Sequence, residues 1–183
     1  SERFHLVHAT HLTENETASI AQSGASVVLC PSTEGNLGDG IFPLLKYQEL
    51  GGKWSIGTDS HVGLNPLEEL RLLDYGQRLT SHKRNIFNSP EQGDSGLFAI
   101  EMASTSGRKA MNNFEEKFFE VGKPFNAVIY ADKSPLIGTS SIDNMASTIL
   151  YSSDASMQEA TIINGKEMVT AGQHINNESI SNK

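Results

Sequence analysis

From Phe4 to about Thr80, short apolar segments alternate with amphipathic ones at the spacing of strand followed by helix. That rhythm leaves few architectures open, because short strand–helix–strand connections make the strands parallel. The expected strands are Phe4–Val7, Ser26–Cys30 and Trp54–Gly57. The second is continuously apolar after Ser26, as strands covered on both faces tend to be. Between the first two, Thr13-Glu14-Asn15-Glu16 carries the pattern in which Thr13 and Glu16 satisfy each other's backbone N–H groups at a helix start. Gly24 is placed to end that helix in the left-handed region. A Gly/Asn/Asp-rich loop is expected from Pro31 to Gly40, then a short helix around residues 43–50 stopped by Gly51-Gly52. Pro66 suits the first position of a further helix. There Leu67, Leu70 and Leu73 recur at helical spacing, while Glu68–Arg71 and Asp74–Arg78 pair opposite charges on the other side.

Residues 83–119 read as mostly helical, with Gly107 as a break and Phe114, Phe118 and Phe119 as core. Past Gly122-Lys123-Pro124 the texture changes. Phe125–Ala131, Thr148–Ser152 and Ala160–Ile163 are β-rich, and Asn164-Gly165 is a strong hairpin signal. The division expected is an α/β part over residues 1–121 and a small β part with a polar tail over 122–183. The β part is either a small sandwich or extra strands on the first domain.

At 183 residues the chain is about one domain, with room for a sizeable core. Its 14 basic and 22 acidic side chains give a formal charge of −8, which argues against nucleic acid as a partner, since neutralising phosphates needs clustered Lys and Arg. No apolar run approaches the roughly 20 residues that span a bilayer, so no membrane partner is expected either. The single cysteine, Cys30, excludes an internal disulfide and a multi-cysteine zinc site. It fits a reducing, cytoplasmic setting. The first strand begins without a lead-in, and the residues before it show neither the basic n-region nor the apolar stretch of a signal peptide; the expectation is an excerpt that lacks at least its front part.

Three strand ends carry groups capable of chemistry. His8, in Phe4-His5-Leu6-Val7-His8-Ala9-Thr10-His11, lies just past the first strand, at the carboxyl edge where α/β folds gather functional groups. Alternatively it is a core histidine with a satisfied hydrogen bond, and His5 and His11 are more simply structural. Gly57-Thr58-Asp59-Ser60-His61 follows the third strand. An aspartate there can bind a metal and accept a proton, or it can cap a helix. Cys30 opens Pro31-Ser32-Thr33-Glu34-Gly35-Asn36-Leu37-Gly38-Asp39-Gly40. This loop lacks the Gly-Lys-Ser/Thr ending of a P-loop, and Glu34 and Asp39 would repel phosphate. Cys30 itself reads as packing rather than nucleophile.

The separations, 22 residues from His8 to Cys30 and 29 from Cys30 to Asp59, are each about one strand-plus-helix unit. The series resembles the last three units of the (β/α)8 barrel in the amidohydrolase superfamily. The wording of Leu6–His11, Thr33–Pro43, Gly57–Val62 and Glu68–Leu79 is similar to that of the formimidoylglutamate deiminases within it. The resemblance covers roughly residues 1–120, and more weakly the β part. It implies an α/β fold made of barrel strands six to eight plus a small sandwich-like segment. It further implies His8 as catalytic and substrate-contacting, and Asp59 as both zinc ligand and proton acceptor. His61 would help orient substrate or Asp59. The implied reaction is zinc-dependent hydrolysis of N-formimino-L-glutamate, a small-molecule substrate, by an enzyme that forms homodimers. The other metal ligands of the family, a His-x-His on the first strand and a histidine on the fifth, are not in these 183 residues. The readings left beside it are another deaminase of the superfamily (guanine or cytosine type), a chlorohydrolase, or a non-catalytic barrel segment.

Overall fold

The structure is a computed structural model that describes residues 1–89, 91–115 and 119–181. Three parallel strands come first: β1 (His5–Val7), β2 (Ser26–Leu29) and β3 (Lys53–Ile56), with β2 in the centre. His5 pairs with Ser26 and Ser26 with Lys53, so the three strands start level and their carboxyl ends share one edge. The connections are helical. Helix α1 (Glu14–Ser23) starts on the Thr13/Glu16 capping box and stops at Gly24, whose φ of 75° is left-handed. Helix α2 (Pro31–Leu37) and helix α3 (Leu44–Glu49) link β2 to β3.

Side chains of this sheet and its helices make the core. Val27, Leu29, Phe42, Leu44, Tyr47 and Trp54 are fully buried. Trp54 stacks on Phe87, and its Nε1–H donates to Gln48 Oε1 at 2.9 Å. Gly52 has a steric reason: a Cβ there would sit 2.4 Å from the Tyr47 ring, closer than packed atoms approach.

Helix α4 (Pro66–Ser81), capped by Asn65, buries Leu67, Leu70 and Leu73 as the spacing requires. Helix α5 (Ser95–Ala110) packs along β3. The expected helix over residues 83–119 is therefore shorter, because Asp94 caps its start. Gly107 lies inside α5 rather than breaking it, 3.6 Å (from its would-be Cβ) from the Ser55 Cβ. Phe114 and Phe119 are exposed rather than core, and Phe118 falls outside the described residues.

The remainder holds a four-stranded antiparallel sheet, β4 (Ala127–Tyr130), β5 (Gln158–Ile163), β6 (Lys166–Thr170) and β7 (Gln173–His174), in that order. Asn164 and Gly165 both have positive φ and join β5 to β6 in a tight hairpin. Among the described residues this is one antiparallel sheet, not two packed as a sandwich. Two short helices, α6 (Pro135–Gly138) and α7 (Met145–Ser152), separate β4 from β5, and α8 (Asn177–Ser181) ends the described chain. The β character expected of Thr148–Ser152 is overridden in α7: Leu150 is fully buried, and the helix packs on α4 and α5. No helix among the described residues is long and apolar enough to cross a membrane.

Candidate active site at the carboxyl edge of the parallel sheet

Both outer strands are tied to β2 where they end. The His8 amide donates to Val28 O, and the Gly57 amide donates to Leu29 O, each at 2.9 Å. The chain then turns sharply. His8 and Ala9 have φ of 64° and 53°, and Asp59 has 49°. Non-glycine residues rarely take this left-handed conformation, and it clusters at functional sites. The turns bring His8 and Asp59 together: His8 Nε2 lies 3.7 Å from Asp59 Oδ2, with both side chains partly exposed, 32% and 43%.

The other imidazole nitrogen faces Glu34. His8 Nδ1 is 3.3 Å from Glu34 Oε1, and the Cys30 amide donates to the same oxygen at 2.8 Å. Glu34 is buried on α2, with only 6% of its side chain exposed. Burial pushes its carboxyl above the usual range, against the two hydrogen bonds that favour its charged form. Residues 31–37 thus form a helix where a loop is expected, and they bring a carboxylate to the site. A readable signal for it exists: Pro31 at the first helical position and Gly38 just past the end, with φ of 72°.

Helix α2 also holds the strand-three loop. Thr33, buried, donates from Oγ1 to Thr58 O at 2.8 Å and accepts from the His61 amide at 3.1 Å. Its own amino end is held by Glu69 of α4, whose Oε2 accepts from the Ser32 amide at 2.9 Å. Glu69 and Asp74 of α4 are fully buried. The expected pair Asp74–Arg78 does form, at 2.7 Å, but under α7 rather than on a solvated face. Arg71 donates to Ser153 O.

His61 lies in the same loop as Asp59. Its ring Nδ1 accepts from the Gly63 amide at 3.0 Å, a contact that shapes the loop itself. His5 sits at the opposite, amino end of β1 against Ser26 Oγ, and His11 is exposed. Cys30 is buried, and burial together with the carboxylates of Glu34, Asp59 and Glu69 pushes its thiol up to about 12. A thiol so disfavoured as thiolate packs rather than attacks.

The donor chemistry can be matched to a metal. His8, Cys30 and Glu34 offer donor atoms within 4.8 Å of one another, but Glu34 Oε1 already accepts from the Cys30 amide and lies against His8 Nδ1, and Cys30 holds its proton. Asp59 carries a carboxylate that is open to solvent at the sheet edge. It fits one position of a zinc site, for which oxygen and nitrogen donors suffice.

A layer of parallel strands and helices with a His–Asp pair at its carboxyl edge defines an α/β protein whose candidate functional groups lie at strand ends. The amidohydrolase family model matches residues 2–168, and the chain belongs to that family. It is 36% identical to formimidoylglutamate deiminase of Pseudomonas aeruginosa over 177 residues, 97% of this chain and 39% of that protein. It is 27% identical over its whole length to 5-methylthioadenosine/S-adenosylhomocysteine deaminase of Pyrococcus furiosus, of which it covers 42%. Among solved structures, an amidohydrolase from Brucella melitensis superposes with a TM-score of 0.84 at 30% identity, covering all of this chain and 40% of that one. The chain thus spans about two fifths of the length of these relatives.

Proposed function

We propose that this chain is part of a zinc-dependent deiminase that hydrolyses the formimino C=N group of N-formimino-L-glutamate, yielding N-formyl-L-glutamate and ammonia in histidine breakdown. The observation that carries the proposal is the convergence of His8 and Asp59 to 3.7 Å on left-handed turns at one sheet edge. The 36% identity to a formimidoylglutamate deiminase supports the substrate. In this reading β1 to β3 are strands six to eight of a (β/α)8 barrel, residues 122–183 form its small β-rich domain, and the complete enzyme is a cytoplasmic homodimer.

Asp59 would be one ligand of the zinc, whose chemical contribution when bound is to lower the pKa of a water toward neutrality. The Asp59 carboxylate takes one proton of the attacking water to the imino nitrogen and then moves the remaining hydroxyl proton to that nitrogen as the C–N bond breaks, so both hydrogens of the water leave in ammonia. His8 Nε2, on the same side, accepts a hydrogen bond from the attacking water and orients its oxygen toward the C=N carbon. His61 positions the loop that carries Asp59, or substrate beside it. In balance, water adds across C=N and ammonia leaves.

The test is ammonia release by the complete zinc-loaded enzyme carrying this segment. It should favour N-formimino-L-glutamate over guanine, cytosine and 5-methylthioadenosine by at least about 10²-fold in kcat/KM. A preference for one of the nucleobase or nucleoside substrates would assign the site to another deaminase.

A further inference from the structure

We propose that Glu34 is the positioning residue of His8: it accepts the Nδ1 proton of the imidazole and so presents Nε2 to Asp59 and to the reacting atoms. The inference rests on the hydrolytic role of His8 given above, and deepens it.

Four observations converge. His8 Nδ1 and Nε2 face two different carboxylates, Glu34 Oε1 at 3.3 Å and Asp59 Oδ2 at 3.7 Å. The Cys30 amide donates to the same Glu34 oxygen, which makes that oxygen an acceptor, so the ring contact assigns the proton to Nδ1 and leaves Nε2 as the acceptor nitrogen. Glu34 is itself fixed, since Oε1 also accepts from the Cys30 amide and the side chain is almost wholly buried. Asp59, by contrast, is 43% exposed, which leaves it open to water and substrate. One carboxylate is therefore built to hold the ring and the other to meet the reactants. A free imidazole at a strand end would sample both tautomers and several rotamers; the buried acceptor removes that freedom without touching substrate.

Two readouts on the complete zinc-loaded enzyme test this: steady-state kinetics, and the 15N chemical shifts of the His8 ring. In the wild type the shifts should report the Nδ1–H tautomer. In Glu34→Ala that tautomer should lose its dominance and kcat should fall about 10- to 100-fold with little change in KM. Glu34→Gln, which still presents an acceptor oxygen, should retain the tautomer and most of kcat. If Glu34→Ala does not fold, Glu34→Asp, one methylene too short to reach, takes its place and the same losses are expected. An unchanged tautomer in the Ala or Asp variant overturns the proposal, whatever happens to kcat. Wild-type enzyme inert toward N-formimino-L-glutamate would count against the substrate reading alone, since the ring shifts still decide the role of Glu34.

Discussion

His8 and Asp59 occupy backbone conformations that cost a non-glycine residue about 1–3 kcal/mol each, and both lie at one sheet edge. Strain of that size persists where surrounding contacts over-determine it, and here Val28 O, Glu34 and Thr33 supply them. Cys30, at the same edge, behaves oppositely. With its thiol pushed up to about 12 by burial and nearby carboxylates, little thiolate exists at pH 8. Alkylation by iodoacetamide should be on the order of 10³-fold slower in the native chain than in denaturant; comparable rates would mean that the thiol is neither buried nor protonated. His8, Cys30 and Asp59 were legible in the sequence because each ends a strand that its own composition declares. Glu34 was not. Its neighbours Gly35, Asn36, Gly38 and Gly40 have loop composition, and its importance depends on a partner 26 residues away.

At the scale of elements, local chemistry announced the capped helix α1, the Pro66 start of α4 and the Asn164-Gly165 hairpin, and all three form. Helix α7 is the counterexample: Thr148, Ile149 and Tyr151 favour strands, and only packing makes them helical. Asp94 does much of that. It accepts from the Gly96 and Leu97 amides at the start of α5, and from the Ser147 amide in the first turn of α7. The fit is close, since a Cβ on Gly96 would lie 2.4 Å from the Ser147 nitrogen. Asp94→Ala should destabilise the chain by about 2 kcal/mol, measured by denaturant unfolding. Burial alone would raise the Asp94 pKa, but the hydrogen bonds from Ser147, Leu97 and Gly96 outweigh it and hold the carboxyl below its usual range. A depressed folded pKa means that this stabilisation is complete above the unfolded value, near 4, and fades as pH falls through the folded one. The difference between wild type and Asp94→Asn should therefore shrink on acidification below about pH 4; a constant difference from pH 7 to pH 2 would contradict the capping role.

Across the whole molecule, α7 joins what the sequence divides. It lies within residues 122–183, yet Leu150 belongs to the core cluster of the α/β part, and Tyr151 donates to the buried Asp74 of α4. The change of texture near residue 122 was legible because turn residues and strand formers cluster there. The tie across it was not, because its contacts span 53 residues from Asp94 to Ser147 and 77 from Asp74 to Tyr151, and no local pattern records them. The same holds for the site, where His8 and Asp59 meet only because β1 and β3 end level at one edge, on either side of β2. In the proposed zinc-dependent hydrolysis Asp59 moves the protons and His8 holds the attacking water. The most direct measurement is the turnover of N-formimino-L-glutamate by Asp59→Asn in the complete zinc-supplied enzyme, with zinc content and circular dichroism followed in parallel. In that variant kcat should fall about 10³-fold with the fold intact; near-normal turnover with zinc still bound would remove Asp59 from the chemistry.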